Sequence, residues 1–212
     1  MLGFDILEWL IGIVVLIVLL PILWRRTHSA SYLFFFSVFW VYLLIVVDVT
    51  IFPIPLPDTG MFLSKQQITF VLSHVNFELF KYLSDSYANS YVVFLEIVQN
   101  ILLTIPFGFG VSFITQFKAR DFLWLAIVVG LTIEIAQLVI SLGVGVYRTV
   151  DVTDVFLNAT GVLLGYGIFR IFACLYLKMT HRFGINHKGL LAYIHNVASQ
   201  TQPAELSMSE RI

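Results

Sequence analysis

Charge is scarce in this sequence. Asp, Glu, Lys and Arg make up 12% of its 212 residues and nearly cancel, leaving a net charge of −1. A soluble domain carries about 25% charged residues, so this chain lacks the polar surface needed to cover itself in water. Without a basic excess there is no electrostatic footprint for nucleic acid. Cysteine is almost absent: Cys174 stands alone in an apolar run, so no intrachain disulfide can form. The histidines, at 28, 74, 181, 187 and 195, supply no metal-ligand spacing. There is no Gly-x-Ser-x-Gly elbow, Walker loop, His-Glu-x-x-His motif or internal repeat.

What abounds is hydrocarbon. The chain is 59% hydrophobic with a mean hydropathy of +0.92, and an integral membrane protein is the class that fits. Five apolar runs, near 5–24, 31–52, 91–117, 121–142 and 154–177, reach the roughly 20 residues that cross a bilayer. The fold expected is therefore all-α, a polytopic bundle of about five transmembrane helices. Asp5 and Glu8 stand where a signal peptide would be basic, and Trp24-Arg25-Arg26 follows in place of a small-residue cleavage site. The first run thus reads as a retained span. Between runs two and three, "FPIPLPDTG" stops the helix and favours a turn. The segment "ITFVLSHVNFELFKYL" after it holds His74, Asn76, Glu78 and Lys81, and is expected to lie along the membrane surface. Three regions result: 1–30, a first span and inner loop; 31–177, the main membrane domain; and 178–212, a cytoplasmic tail whose end reads as disordered.

Basic residues set the orientation. With the N-terminus outside, inner loops and tail hold Arg25, Arg26, Lys118, Arg120, Lys178, Arg182, Lys188 and Arg211, against Lys65, Lys81 and Arg148 outside. The opposite orientation reverses the bias, so the N-terminus is expected outside and the C-terminus in the cytoplasm. Depth then follows from the helical rise. Glu134 and Gln137 fall roughly 12 and 8 Å below the outer end of span four, and Asn158 about 6 Å below that of span five. Glu96 and Asn100 lie in the outer half of span three, and Asp48 near the outer end of span two. Apart from Arg170, the inner halves hold almost no such groups. Separate segments therefore deliver polar side chains to one level on one side.

A carboxylate near the bilayer centre costs on the order of 2.5–3.5 kcal/mol on insertion scales, and normally finds a partner or a wet cavity. Arg148, on the outer turn between Glu134 and the Asp151/Asp154 pair, is the counter-ion in reach; its fork can hold two carboxylates, or a carboxylate and a phosphate. Plainer roles compete. Asp151 or Thr153 can cap the fifth helix, with Asp154 favoured in its first turn. Gly161-x-x-x-Gly165 suits a close helix contact, and Pro106 with Gly108 and Gly110 suits a kink in span three that lets a neighbour approach. Asn100 can bond across helices. Glu134, isolated in "GLTIEIAQLVI", gains nothing by capping and must be paired, protonated or functional. Glu134, Asp151 and Asp154 have the oxygens of a hard-cation site, but Arg148 competes for them, so no metal and no cofactor are expected.

The pattern Glu134-x2-Gln137, then Arg148-x2-Asp151-x2-Asp154-x3-Asn158-x2-Gly161-x3-Gly165, resembles the VanZ-like family. Asn100 with Pro106-Phe107-Gly108 resembles that family's asparagine and "PFG" element. "HVNFELFKYL" is similar to its Asn-x-x-Pro-Phe element, with Glu78 where proline is usual. The likeness spans about 35–175. It implies a multi-pass protein of the bacterial plasma membrane and an association with tolerance of teicoplanin, a glycopeptide carrying a lipid tail; it implies no particular reaction.

Two functional classes stay open. In the first, Arg148, Gln137, Asn158, Asn100 and Glu96 bind a lipid headgroup, a lipid-linked cell-wall precursor or the lipoglycopeptide at the outer leaflet. In the second, an intramembrane enzyme modifies an outer-leaflet lipid or wall polymer, with Glu134 as general acid or base and Asp151 or Asp154 as its ionised partner. Transport is a weaker third reading, because polar groups confined to one half make no path across.

Overall fold

A computed structural model describes residues 6–52, 65–81, 89–144 and 150–201. The chain forms α1 (Ile6–Thr27), α2 (Ala30–Ile51), α3 (Lys65–Ser73), β1 (Val75–Asn76), α4 (Ser90–Gly110), α5 (Ala119–Val144), β2 (Val150–Asp151), α6 (Val152–Phe183) and α7 (Leu190–Gln200). Among the described residues α1, α2, α4, α5 and α6 are long and apolar enough to cross a membrane, so the expected five spans are present in an all-α bundle. α3, at nine residues, is too short to cross.

Polar residues at the joints begin and end these helices. Ser29 caps α2 by accepting from Tyr32 N at 3.2 Å. Asn89 caps α4 by accepting from Tyr91 N at 3.0 Å, and Asp151 caps α6 by accepting from Thr153 N at 2.7 Å. Each cap satisfies an amide that the first helical turn leaves open. α6 ends on Gly184, whose φ of 57° is left-handed and closes the last turn. α6 thus runs past the expected limit at 177. Pro106 lies within the unbroken run of α4 and Pro21 within that of α1. Membrane helices tolerate this because neighbours re-satisfy the freed carbonyl.

α6 is the central element, packed between α4 and α5. A side chain at Gly161 would overlap Thr104 and the Ile101 carbonyl, and one at Gly165 the Ile105 carbonyl; from the other side, Gly108 faces the Val162 carbonyl. The two backbones approach that closely only because these positions lack Cβ, and the contact is dispersion-rich where no water drives association. Thr104 Oγ1 fastens the seam by donating to Asn158 O at 2.8 Å. α2 joins through Tyr42 Oη, which donates to Leu103 O at 2.7 Å, and α1 joins α2 through Trp40 Nε1 to Gly12 O at 2.9 Å. Most apolar side chains of α1 are exposed, as suits a helix bathed in lipid.

The two ends of the bundle differ. One end carries β1 and β2, paired in parallel with Val75 opposite Val150 and Asn76 opposite Asp151. The other carries an aromatic cluster of Phe113 and Phe169 with Phe35, Phe109, Tyr166 and Phe172. α7 docks on that cluster through buried Val197 and Ala198, and Tyr193 Oη donates to Phe113 O. The sequence reading expected only a mixed polar tail from Lys178 onward; α7 is an addition to it. The last part of that tail, 202–212, lies outside the described residues.

Candidate functional site

The short parallel pairing builds the site. It ties the segment after α3 to the residues entering α6, so Asn76 lies beside Asp151. Asp151 then serves two elements with one carboxylate. Its Oδ1 caps α6, and its Oδ2 accepts from Asn76 Nδ2 at 2.8 Å. Asn76 in turn closes its own loop: its Oδ1 accepts from Glu78 N at 3.1 Å. Thr153 Oγ1 accepts from Phe80 N at 3.0 Å, a second tether between the loop and the start of α6. The surface segment expected at 68–83 is therefore bound to the site through residues 75–80. Residues 82–88 lie outside the described residues.

Behind this tether lie the helices. Glu134, on α5, is 3% exposed and its Oε2 accepts from Asp151 N across a long 3.4 Å. Asp154, in the first turn of α6, accepts from Asn100 Nδ2 of α4 at 2.7 Å. Side chains from β1, α4, α5 and the β2–α6 junction thus meet in a single layer. Glu96 is exposed and makes no hydrogen bond among the described residues, but its charge acts on Glu134 and Asp154. Gln137 turns to α2, donating from Nε2 to Thr50 O at 3.2 Å. It fastens two spans and does not join the carboxylates.

Asn158 lies one turn below Asp154 and is fully buried. Among the described residues neither its Nδ2 nor its Oδ1 has a hydrogen-bond partner, although its backbone carbonyl is taken by Thr104. An amide buried in this way forfeits about 1–3 kcal/mol, so its presence calls for a compensating role. Ser141 Oγ, on α5, is buried and has no partner among the described residues either.

Among the described residues the ion pairs are Lys81–Glu78 and Arg120–Asp121, and neither reaches this layer. Glu96, Glu134, Asp151 and Asp154 therefore share the layer without a described base between them. Arg148, the expected counter-ion, lies outside the described residues. Among the described residues no group of three His, Cys, Asp or Glu side chains could hold a metal ion. The layer offers carboxylate oxygens and asparagine amides, a donor set for cationic or hydroxyl-rich groups and for an arginine that brings an anion with it. Gly108, Gly161 and Gly165 lie on the α4–α6 seam, away from this donor set, and Pro106 is exposed on α4.

The sequence reading missed the tethers, Asn76 to Asp151 and Phe80 to Thr153. A two-residue strand has no periodicity to detect. The available signal was the Asn76-centred element itself, whose likeness to a family motif marked it without placing it.

No curated protein and no solved structure matches the chain. The VanZ/LLP1 family model matches residues 39–173, from the middle of α2 to the second half of α6, a stretch that holds every member of the polar layer, and the chain belongs to that family.

Proposed function

We propose that the polar layer faces the outside of a bacterial plasma membrane and binds the head of an outer-leaflet amphiphile, contributing to tolerance of teicoplanin-type glycopeptides. The amphiphile is a lipid headgroup, a lipid-linked wall precursor or the lipoglycopeptide itself. One observation carries the reading: Asn76, Asn100, Glu134, Asp151 and Asp154, from four segments of the chain, converge at one end of the bundle. Such convergence is costly in a membrane and is kept where a bound group compensates for it. The distribution of basic residues supports the outward direction, since the opposite end carries most of them. Arg148, close in sequence to Asp151, would bring a phosphate or carboxylate into the layer.

The test is Arg148→Ala in a teicoplanin-sensitive host expressing the protein. Tolerance falls to the level of the empty host while the amount of protein in the membrane stays constant. Full tolerance in that variant would sink the reading.

A second reading draws on Glu134. This carboxyl is nearly inaccessible, whereas Asp151 is half-buried at the helix entrance, and carboxylates in unlike settings divide into acid and base. An enzyme that modifies an outer-leaflet lipid or wall polymer would use Glu134 for proton transfer, with Asp151 or Asp154 ionised. Lipid mass spectrometry of cells with wild type and with Glu134→Gln separates the two readings. A species present only with wild type favours catalysis, and identical lipid profiles favour binding.

A further inference from the structure

The end of the bundle opposite the carboxylates holds a cavity of about 410 Å³, within the range of small-ligand sites. Its walls are the connection after α4, the start of α5, the second half of α6 and the C-terminal end of α7, and they include Lys118 and Arg170. Among the described residues no Asp or Glu lines it. The nearest carboxylate in sequence, Asp121, is already engaged: it accepts from Lys118 N at 3.0 Å and pairs with Arg120 at 3.6 Å. The cavity is therefore positive, at the end of the protein opposite its negative layer.

Arg170 decides what such a cavity can hold. It stands 18 residues after Val152, roughly 27 Å along α6, which puts it near the far side of a hydrocarbon core about 30 Å thick. Its Nη1 donates to Tyr166 Oη at 3.2 Å, and its guanidinium lies 6.0 Å from the centre of the Tyr166 ring. The ring is itself fixed by stacking on buried Phe122 at 3.8 Å. One of five guanidinium donors is thus committed, and the rest form no ion pair among the described residues. A half-buried arginine at this depth needs an anion, and planar recognition of a phosphate is what its fork does best. Lys118 adds a second charge on an exposed side chain, and Gln116 an amide. The wall made by α7 is held by Tyr193 against Phe113 and by buried Val197, so the cavity is built and not a gap between loose elements.

We infer that this cavity binds a phosphate group, with Arg170 as its main ligand and Lys118 as the second. Basic pockets between spans near the membrane surface recognise anionic phospholipid headgroups in the same way. A headgroup and a free phosphate share this chemistry, so the test distinguishes them. The full chain, purified in detergent, is titrated with phosphatidylglycerol, phosphatidylcholine, glycerol phosphate and inorganic phosphate, with binding read by native mass spectrometry. Phosphatidylglycerol binds at least tenfold more tightly than phosphatidylcholine. Arg170→Gln and Lys118→Gln each weaken it at least fivefold, Arg170→Lys recovers part of the loss, and Arg25→Gln, a lost charge elsewhere on the protein, leaves it within twofold. Recovery by lysine separates a lost ligand from a lost fold. Weak binding of both soluble phosphates identifies the lipid as the source, and soluble phosphate binding as tight as the lipid's identifies a free phosphate; either upholds the site. Equal affinity for the two lipids, or phosphatidylglycerol binding unchanged in both glutamine variants, overturns it.

Discussion

Asp151 caps a helix, clamps Asn76 and carries a charge, and substitutions separate these contributions. Asn caps about as well as Asp, whereas Ala costs about 1–2 kcal/mol. Asp151→Ala should therefore lower the melting temperature in detergent by several degrees, and Asp151→Asn by less, because its one amide oxygen keeps the cap while its NH2 group loses the clamp on Asn76; both lose the carboxylate. Loss of tolerance in both variants, against the larger loss of stability in one, identifies the carboxylate and not the cap as the functional part. Asn158 predicts the reverse pattern. Both polar atoms of its amide are without a partner among the described residues, in a fully buried position. An apolar replacement of similar size removes an unsatisfied pair at little cost, so Asn158→Leu keeps or raises the melting temperature while tolerance falls. A drop in stability with full tolerance would make Asn158 a structural residue only. Glu134, Asp154 and Asn100 are legible in the sequence because helical rise converts position to depth, and polar groups deep in apolar runs stand out. Asn76 lies in a two-residue strand, where rise and periodicity say nothing, and the bond of Thr153 at the start of α6 to Phe80 N joins residues far apart in sequence.

At the scale of elements, the α4–α6 seam depends on missing side chains. Overpacking costs about 1–3 kcal/mol or more where backbone must move, so Gly161→Ala and Gly165→Ala should destabilise the bundle strongly. Gly167, on the same helix, has open space around its would-be Cβ, and Gly167→Ala should be neutral in the same thermal melt. α7 permits a test by pH. Burial and the neighbouring Tyr32 push the Tyr193 hydroxyl up from 10.0 to about 12. A raised value means the folded state holds its proton longer than the unfolded chain. Stability from this group is therefore complete below about pH 10 and declines as pH rises toward 12. Between pH 9 and 11 the wild type should lose more thermal stability than Tyr193→Phe, which has no proton to lose. Equal slopes would show that α7 does not depend on that hydroxyl. The spans were legible from length and hydropathy alone. α7 was not recognised, though Leu190, Ile194, Val197 and Ala198 carry helical spacing in "LLAYIHNVASQ"; its charge-poor but mixed composition hid it in a polar tail.

At the scale of the whole molecule, acidic and basic regions lie at opposite ends of one bundle, and the proposed function puts the acidic layer outside. Single cysteines introduced in a Cys174→Ser background should react with impermeant maleimide on intact cells at 60 and 145, and fail to react at 28 and 120. The converse pattern would invert the molecule and move the layer to the cytoplasm. The family match covers the acidic layer and ends at 173, ahead of α7, so the wall that α7 gives the basic cavity lies beyond the matched region. The claim on which the rest turns is that the acidic layer, closed by Arg148, holds a ligand's head. A structure of the full chain in discs of native lipid, bound to an antibody fragment, tests it most directly. The account predicts amphiphile density whose polar end lies within hydrogen-bond distance of Asp154 and the Arg148 guanidinium. A layer filled by protein side chains alone, with Arg148 turned into water, would contradict it.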